Sequence, residues 1–256
     1  MRVTFDTNVW QMAVIPRLAS KSCLFDAYAT VHEALRTNRI RGFICETVGT
    51  LEAVRHAGRE VYFTSIKPLV KVQTAGQGGE ALLTINIVTN HDQHPGLPKV
   101  LRERLELAFA LGLRLMRAPR IGIPVPPSFL ELSVFADEVD VPTSAARDNR
   151  WGDVVEMIEQ RCVGSAAVRS LKAGTDAANG EKEFCRAVAE WADGDSVAAH
   201  VAYRNDVFCT EDQGRSAERG SILDADNRLW LARTHDVQFA TIRELATRIS
   251  AQVKSG

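Results

Sequence analysis

Short apolar-rich segments alternate with stretches of helical spacing. Residues 2–5, 39–45 ("RIRGFIC"), 206–210 ("DVFCT") and 236–241 ("DVQFAT") are such segments and read as strands. Between residues 22 and 37, Leu24, Ala27, Tyr28, Val31 and Leu35 recur on one side of a helix. "TVGTLEAVRHAG" predicts a second helix ending near Gly58. In "VKVQTAGQGGEALLTINIV" two alternating segments flank a Gly-rich turn, which predicts a hairpin. "LPKVLRERLELAFALGL" predicts a helix with Leu101, Leu105, Ala108 and Phe109 on one face. "LRLMRAPRIGIPVPP" reads as a strand running into a Pro-rich connector, where missing amides and fixed φ end regular structure. Helices are expected near 150–162, 181–193 and 195–204, and an amphipathic helix follows residue 241.

Strands alternating with helices predict an α/β fold with a mostly parallel sheet flanked by helices. The chain of 256 residues is expected to form a single domain. Its core would be residues 1–58 and 141–256, with an inserted hairpin and helix segment at about 59–140. No internal repeat is present. The formal net charge is −1, so no bulk basic surplus advertises nucleic-acid binding, although charge can still gather locally. The five cysteines lack the close pairing of a zinc site. No run approaches the ~20 apolar residues of a membrane span, and a cytoplasmic protein is expected.

Open α/β sheets bind ligands at the carboxyl ends of their strands. Asp6 ends the first predicted strand, and Asp212 lies just past "DVFCT". Asp195 falls in the first turn of the helix expected from "ADGDSVAAHVAY", 17 residues before Asp212. A helix, a turn and a short strand fill that span and return both carboxylates to one edge. Glu46, at the end of the second strand, and Glu52, on the helix after it, could each face the same crevice; Glu52 is favoured by its apolar neighbours. Taken singly, Asp6 and Asp195 are also good helix-terminal residues. His200 reads as a core-edge histidine, and His91 and His94 as part of a polar loop. Arg114, Arg117 and Arg120 read as a solvated face that could instead contact phosphate. Asn8 stands where a haloacid dehalogenase-like phosphatase needs its second Asp. A Walker A loop and a GxGxxG fingerprint are absent.

"FDTNV", "TLEAV", "DSVAAHVA" and "VFCTED" resemble, in order and setting, the motifs of the PIN domain. That is the fold of metal-dependent ribonucleases that includes the VapC-type toxins. The resemblance covers about residues 1–58 and 193–245. It implies a PIN-like sheet and a catalytic, metal-binding set of Asp6, Glu52, Asp195 and Asp212, with Glu46 the alternative to Glu52. Thr210, Thr7 and Asn8 would be the supporting polar groups. Clustered carboxylates resist ionisation until a cation joins them, and Mg²⁺ or Mn²⁺ suits all-oxygen donors. The implied activity is endonucleolytic hydrolysis of RNA. The implied partners are the RNA substrate, an antitoxin protein where a toxin role holds, and a further copy of the chain in a homo-oligomer; no membrane is expected. The competing expectations are a catalytically inactive RNA-binding or regulatory PIN module and a structure-specific DNA nuclease.

Overall fold

A computed structural model describes residues 1–54, 59, 62–63, 69–77, 80–88, 94–120, 123, 125–136, 143–161, 181–214 and 220–254. Its strands are β1 (Arg2–Phe5), β2 (Arg41–Cys45), β3 (Leu69–Gln77), β4 (Glu80–Val88), β5 (Arg114–Met116), β6 (Val207–Cys209) and β7 (Phe239–Ala240). Five of them form one sheet in the order β5-β2-β1-β6-β7, and every pairing is parallel. Val3 of β1 is level with Gly42 of β2 on one side and Val207 of β6 on the other. The chain works outward from β1 through β2 to β5, then crosses back to β6 and β7. The order therefore reverses between β1 and β6, the point where open α/β sheets leave a crevice at their carboxyl edge.

Side-chain alternation sorts the sheet into two faces. Phe5, Ile44, Leu115 and Cys209 pack with Trp10, Tyr28, Leu105 and Ile249. Those come from the helices Thr7–Val14, Phe25–Arg36, Lys99–Ala110 and Ile242–Lys254. Phe43, Cys45, Met116 and Phe208 pack on the other side with Trp151, Val154, Val201 and Leu231. Those belong to the helices Ser144–Arg161, Glu181–Ala202 and Ala225–His235. Cover on both faces is why the strands are mostly apolar.

Three expectations differ from the structure. The helices expected near 181–193 and 195–204 are one helix, Glu181–Ala202. Gly194 does not break it; a Cβ there would come 3.3 Å from Ile158 Cγ2, so the glycine serves close packing on the Ser144–Arg161 helix. The helix after β2 lasts only Thr47–Thr50 and gives way to turns over 51–54. Two threonines, a valine and a glycine are poor helix formers. The end expected near Gly58 lies outside the described residues. Lastly, β5 lies within the range expected as an insertion, yet it pairs with β2, Ile44 opposite Leu115. The β3–β4 hairpin is a separate two-stranded antiparallel sheet, registered from Leu69↔Val88 to Gln77↔Glu80. No helix among the described residues is long and apolar enough to cross a membrane.

Candidate functional site

Asp6 follows β1 directly and caps the Thr7–Val14 helix. It is 3% exposed. Oδ1 accepts from the Thr7 amide at 2.7 Å. Oδ2 accepts from the Asn8 side-chain amide at 2.9 Å and from the Thr210 hydroxyl at 2.6 Å. Burial raises the Asp6 pKa, and the Asp212 charge adds to that rise; the Thr210, Thr7 and Asn8 bonds oppose it. Three donors leave about one of a carboxylate's four acceptor positions open.

Thr210 and Asn8 tie β1 to β6. The Thr210 hydroxyl accepts from the Asp212 amide at 3.0 Å. Asn8 Oδ1 accepts from the Glu211 amide at 3.2 Å, which fixes the orientation of its side-chain amide. Asp212 Oδ1 accepts from the Gly214 amide at 2.7 Å, and the Arg228 guanidinium donates to the Asp212 carbonyl. Gly214 has φ 66, and a Cβ on it would lie 2.6 Å from the Asp224 backbone nitrogen. The turn carrying Asp212 therefore closes only with glycine.

Glu52 comes from the turn after the Thr47–Thr50 helix. Burial moves its pKa from 4.5 to about 7; Thr7 and Thr47 side-chain hydrogen bonds lower it, and the Asp6 charge raises it. Its Oε2 is buried with no hydrogen-bond partner. Such an orphaned acceptor costs about 1–3 kcal/mol and needs a reason.

The remaining carboxylate is Asp193. Its pKa is raised well above the ordinary value, first by burial and then by the charges of Asp6, Glu190, Glu52 and Asp212. Helix geometry explains the placement. His200 is buried against β1, with Nδ1 2.8 Å from Thr4 Oγ1 and its ring 5.5 Å from that of Phe208. Asp193 lies seven residues earlier in the same helix, on almost the same line and about 10 Å toward the carboxyl edge. Burial lowers the His200 pKa to about 3, so this imidazole is a neutral core group, as its setting in the sequence predicts.

Asp195 is two positions on, about 200° around the helix. It faces Arg120, whose Nε lies 2.7 Å from both carboxylate oxygens. Arg120 also bonds Glu159 at 2.8 Å and lies over the rings of Trp151 and Trp191 at 5.5 and 5.0 Å. Asp195 is thus in a buried ion pair with Arg120, beside Glu46 and the segment that follows β5. Glu46 belongs to this second group. Its Oε1 accepts from the Ala118 amide at 2.6 Å, and burial raises its pKa, with Ala118 and Arg117 opposing and Asp195 adding to the rise. Of the three arginines read as a surface face, Arg120 is inside and Arg117 stacks on Phe135 at 4.0 Å. His94 is buried too; it accepts from the Gly96 amide on Nδ1, so Nε2–H donates to the Thr50 carbonyl at 3.1 Å. His91 lies outside the described residues.

Asp6 and Asp212 are thus joined through Thr210, with Thr7 and Asn8 supporting Asp6, while Glu52 and Asp193 lie near enough for the Asp6 charge to raise their pKa; Asp193 stands where Asp195 was expected. All four carboxylates are hard oxygen donors, and Glu52 holds a buried oxygen with nothing bound to it. In kind, the set fits Mg²⁺ or Mn²⁺. Among the described residues, no three His, Cys, Asp or Glu side chains are gathered closely enough to hold an ion as they stand. No protein-family model, curated protein or solved structure matches the chain.

Proposed function

We propose that the chain is a metal-dependent nuclease of the PIN kind, hydrolysing RNA phosphodiester bonds at the carboxyl edge between β1 and β6. The observation that carries this reading is the set Asp6, Glu52, Asp193 and Asp212 at the reversal point of the sheet, where the Asp212 charge raises the pKa of Asp6, the Asp6 charge raises that of Glu52, and the charges of Asp6, Glu52 and Asp212 raise that of Asp193. A fold has no structural use for such repulsion, whereas a cation removes it. Asp6, Asp193 and Asp212 would hold Mg²⁺ or Mn²⁺. The bound ion would supply an acidified water and neutralise a phosphodiester oxygen.

The chain's own residues do the rest. Thr210 and Asn8 hold the Asp6 carboxylate still. Thr7 links Asp6 to Glu52, giving its amide to one and its hydroxyl to the other. Glu52, near 7, is matched to taking the proton from the attacking water at neutral pH. The preference for RNA, and an antitoxin protein as partner, rest on the resemblance of "FDTNV", "TLEAV" and "VFCTED" to that family. The separation of the carboxylates favours one second reading, an RNA-binding PIN module without turnover.

Incubating RNA, single-stranded DNA and flap DNA with the purified chain tests the choice, with Mn²⁺, with Mg²⁺ and with EDTA. RNA cut only with metal is the expected result. RNA bound but uncut under every condition would leave the binding module.

A further inference from the structure

The opposite, amino-terminal edge of the sheet holds a groove of about 820 Å³, within the size range of small-molecule sites. His200, Val201, Asn205 and Val207, all buried, form its floor. Arg150, Arg204 and Arg248 reach it from three different segments of the chain. The Arg150 and Arg204 guanidinium groups make no hydrogen bond or ion pair with any described residue. Arg248 donates to the Phe239 carbonyl at 3.5 Å and lies near Glu244, whose pKa its charge helps to lower. His235 also lines the groove, and its Nε2 is buried without a partner. The Arg150 charge adds to burial in keeping that imidazole neutral, which places the two groups side by side.

Two carboxylates stand at the same edge, Asp206 and Asp236. Asp206 is engaged by the Arg2 amide at 2.7 Å. Asp236 ends the Ala225–His235 helix with φ 56 and is exposed. With Arg248 near Glu244 and Asp206 engaged by the Arg2 amide, the Arg150 and Arg204 guanidinium groups remain as donors without an acceptor among the described residues. Arginine forks favour phosphate oxygens, and a free carboxylate suits hydroxyl or amino groups on the same ligand.

We infer that this groove binds a small phosphate monoester of mononucleotide size, its phosphate between Arg150, Arg204 and His235 and its hydroxyl groups toward Asp236. The site is separate from the carboxylate cluster and independent of the nuclease reading.

Calorimetric titration of the full chain with 5′-AMP and with adenosine, in EDTA, tests it. EDTA removes any metal ion that could hold the probe's phosphate at the opposite edge. The ¹H–¹⁵N signals of the His235 ring are followed in parallel. 5′-AMP should bind and shift the His235 signals, with adenosine at least about tenfold weaker. Arg150→Gln and Arg204→Gly should each weaken 5′-AMP by about tenfold or more. Glycine is chosen because Arg204 has φ 52, which glycine adopts without strain, so that variant keeps its fold. Absence of 5′-AMP binding, equal binding of adenosine, or unchanged affinity in Arg204→Gly would each overturn the assignment.

Discussion

Replacing Glu52 with glutamine should stabilise the metal-free protein, and should do so only where the native carboxyl is ionised. An open chain ionises this group near 4.5, whereas the folded chain holds its proton to about 7. Between those values, rising pH strips the unfolded state first and so favours unfolding. Stability is therefore fully present below 4.5, falls through the interval, and carries its full deficit above 7. The move from 4.5 to about 7, at about 1.4 kcal/mol per pH unit, makes ionised Glu52 cost the fold about 3 kcal/mol. A glutamine keeps one oxygen for Thr7 and Thr47 and pays about 1 kcal/mol for its buried amide nitrogen. The net gain is about 2 kcal/mol, or about 4–8 °C in melting temperature for a chain of this size. Thermal melts in EDTA at about pH 8 and about pH 4, with and without Glu52→Gln, measure it. The variant should melt higher at the alkaline pH and no higher at the acid one. An equal shift at both pH values, or a lower melting temperature at the alkaline one, would refute the claim that the fold strains this carboxylate.

The two aspartates of the long helix should separate cleanly. Asp193→Asn should abolish metal-dependent cleavage and leave the metal-free chain as stable or more so, read from activity and urea melts together. Asp195→Asn should cost about 3 kcal/mol in the same melts, because Arg120 loses its bidentate partner in the interior. Thr210→Val removes the 2.6 Å bond to Asp6 and should cost about 1–3 kcal/mol. The loss should be larger at neutral than at acid pH, since the bond favours ionised Asp6. Gly49→Ala should cost about 1–3 kcal/mol in a urea melt, because its Cβ would meet the buried Phe129 ring at 2.4 Å.

Much of the sheet is legible in the chain because parallel strands covered on both faces are mostly apolar, as "GFIC" and "VFC" are. Asp6, Thr210 and Asp212 are legible for a related reason, since polar residues directly after such runs can only lie at the carboxyl edge. Asp193 was not, and the cause is Gly194. Read as a breaker, it starts a new helix at Asp195 and gives that residue the role of a first-turn acid. Read as a contact glycine against Ile158, it leaves the helix unbroken and turns Asp193 toward Asp6. The signal was present in the seven-residue spacing between Asp193 and His200, two turns on one helical line. Arg120 illustrates a different blind spot. Its ion pair with Asp195 spans 75 positions, and no local pattern announces a partner so distant.

Calorimetric titration of Mn²⁺ into the native chain and into Asp6→Asn, Asp193→Asn and Asp195→Asn tests the central claim most directly. The native chain and Asp195→Asn should bind Mn²⁺ alike, while Asp6→Asn and Asp193→Asn should lose it. Binding that survives Asp193→Asn and disappears in Asp195→Asn, or no binding by the native chain, would contradict a metal centre at the edge between β1 and β6.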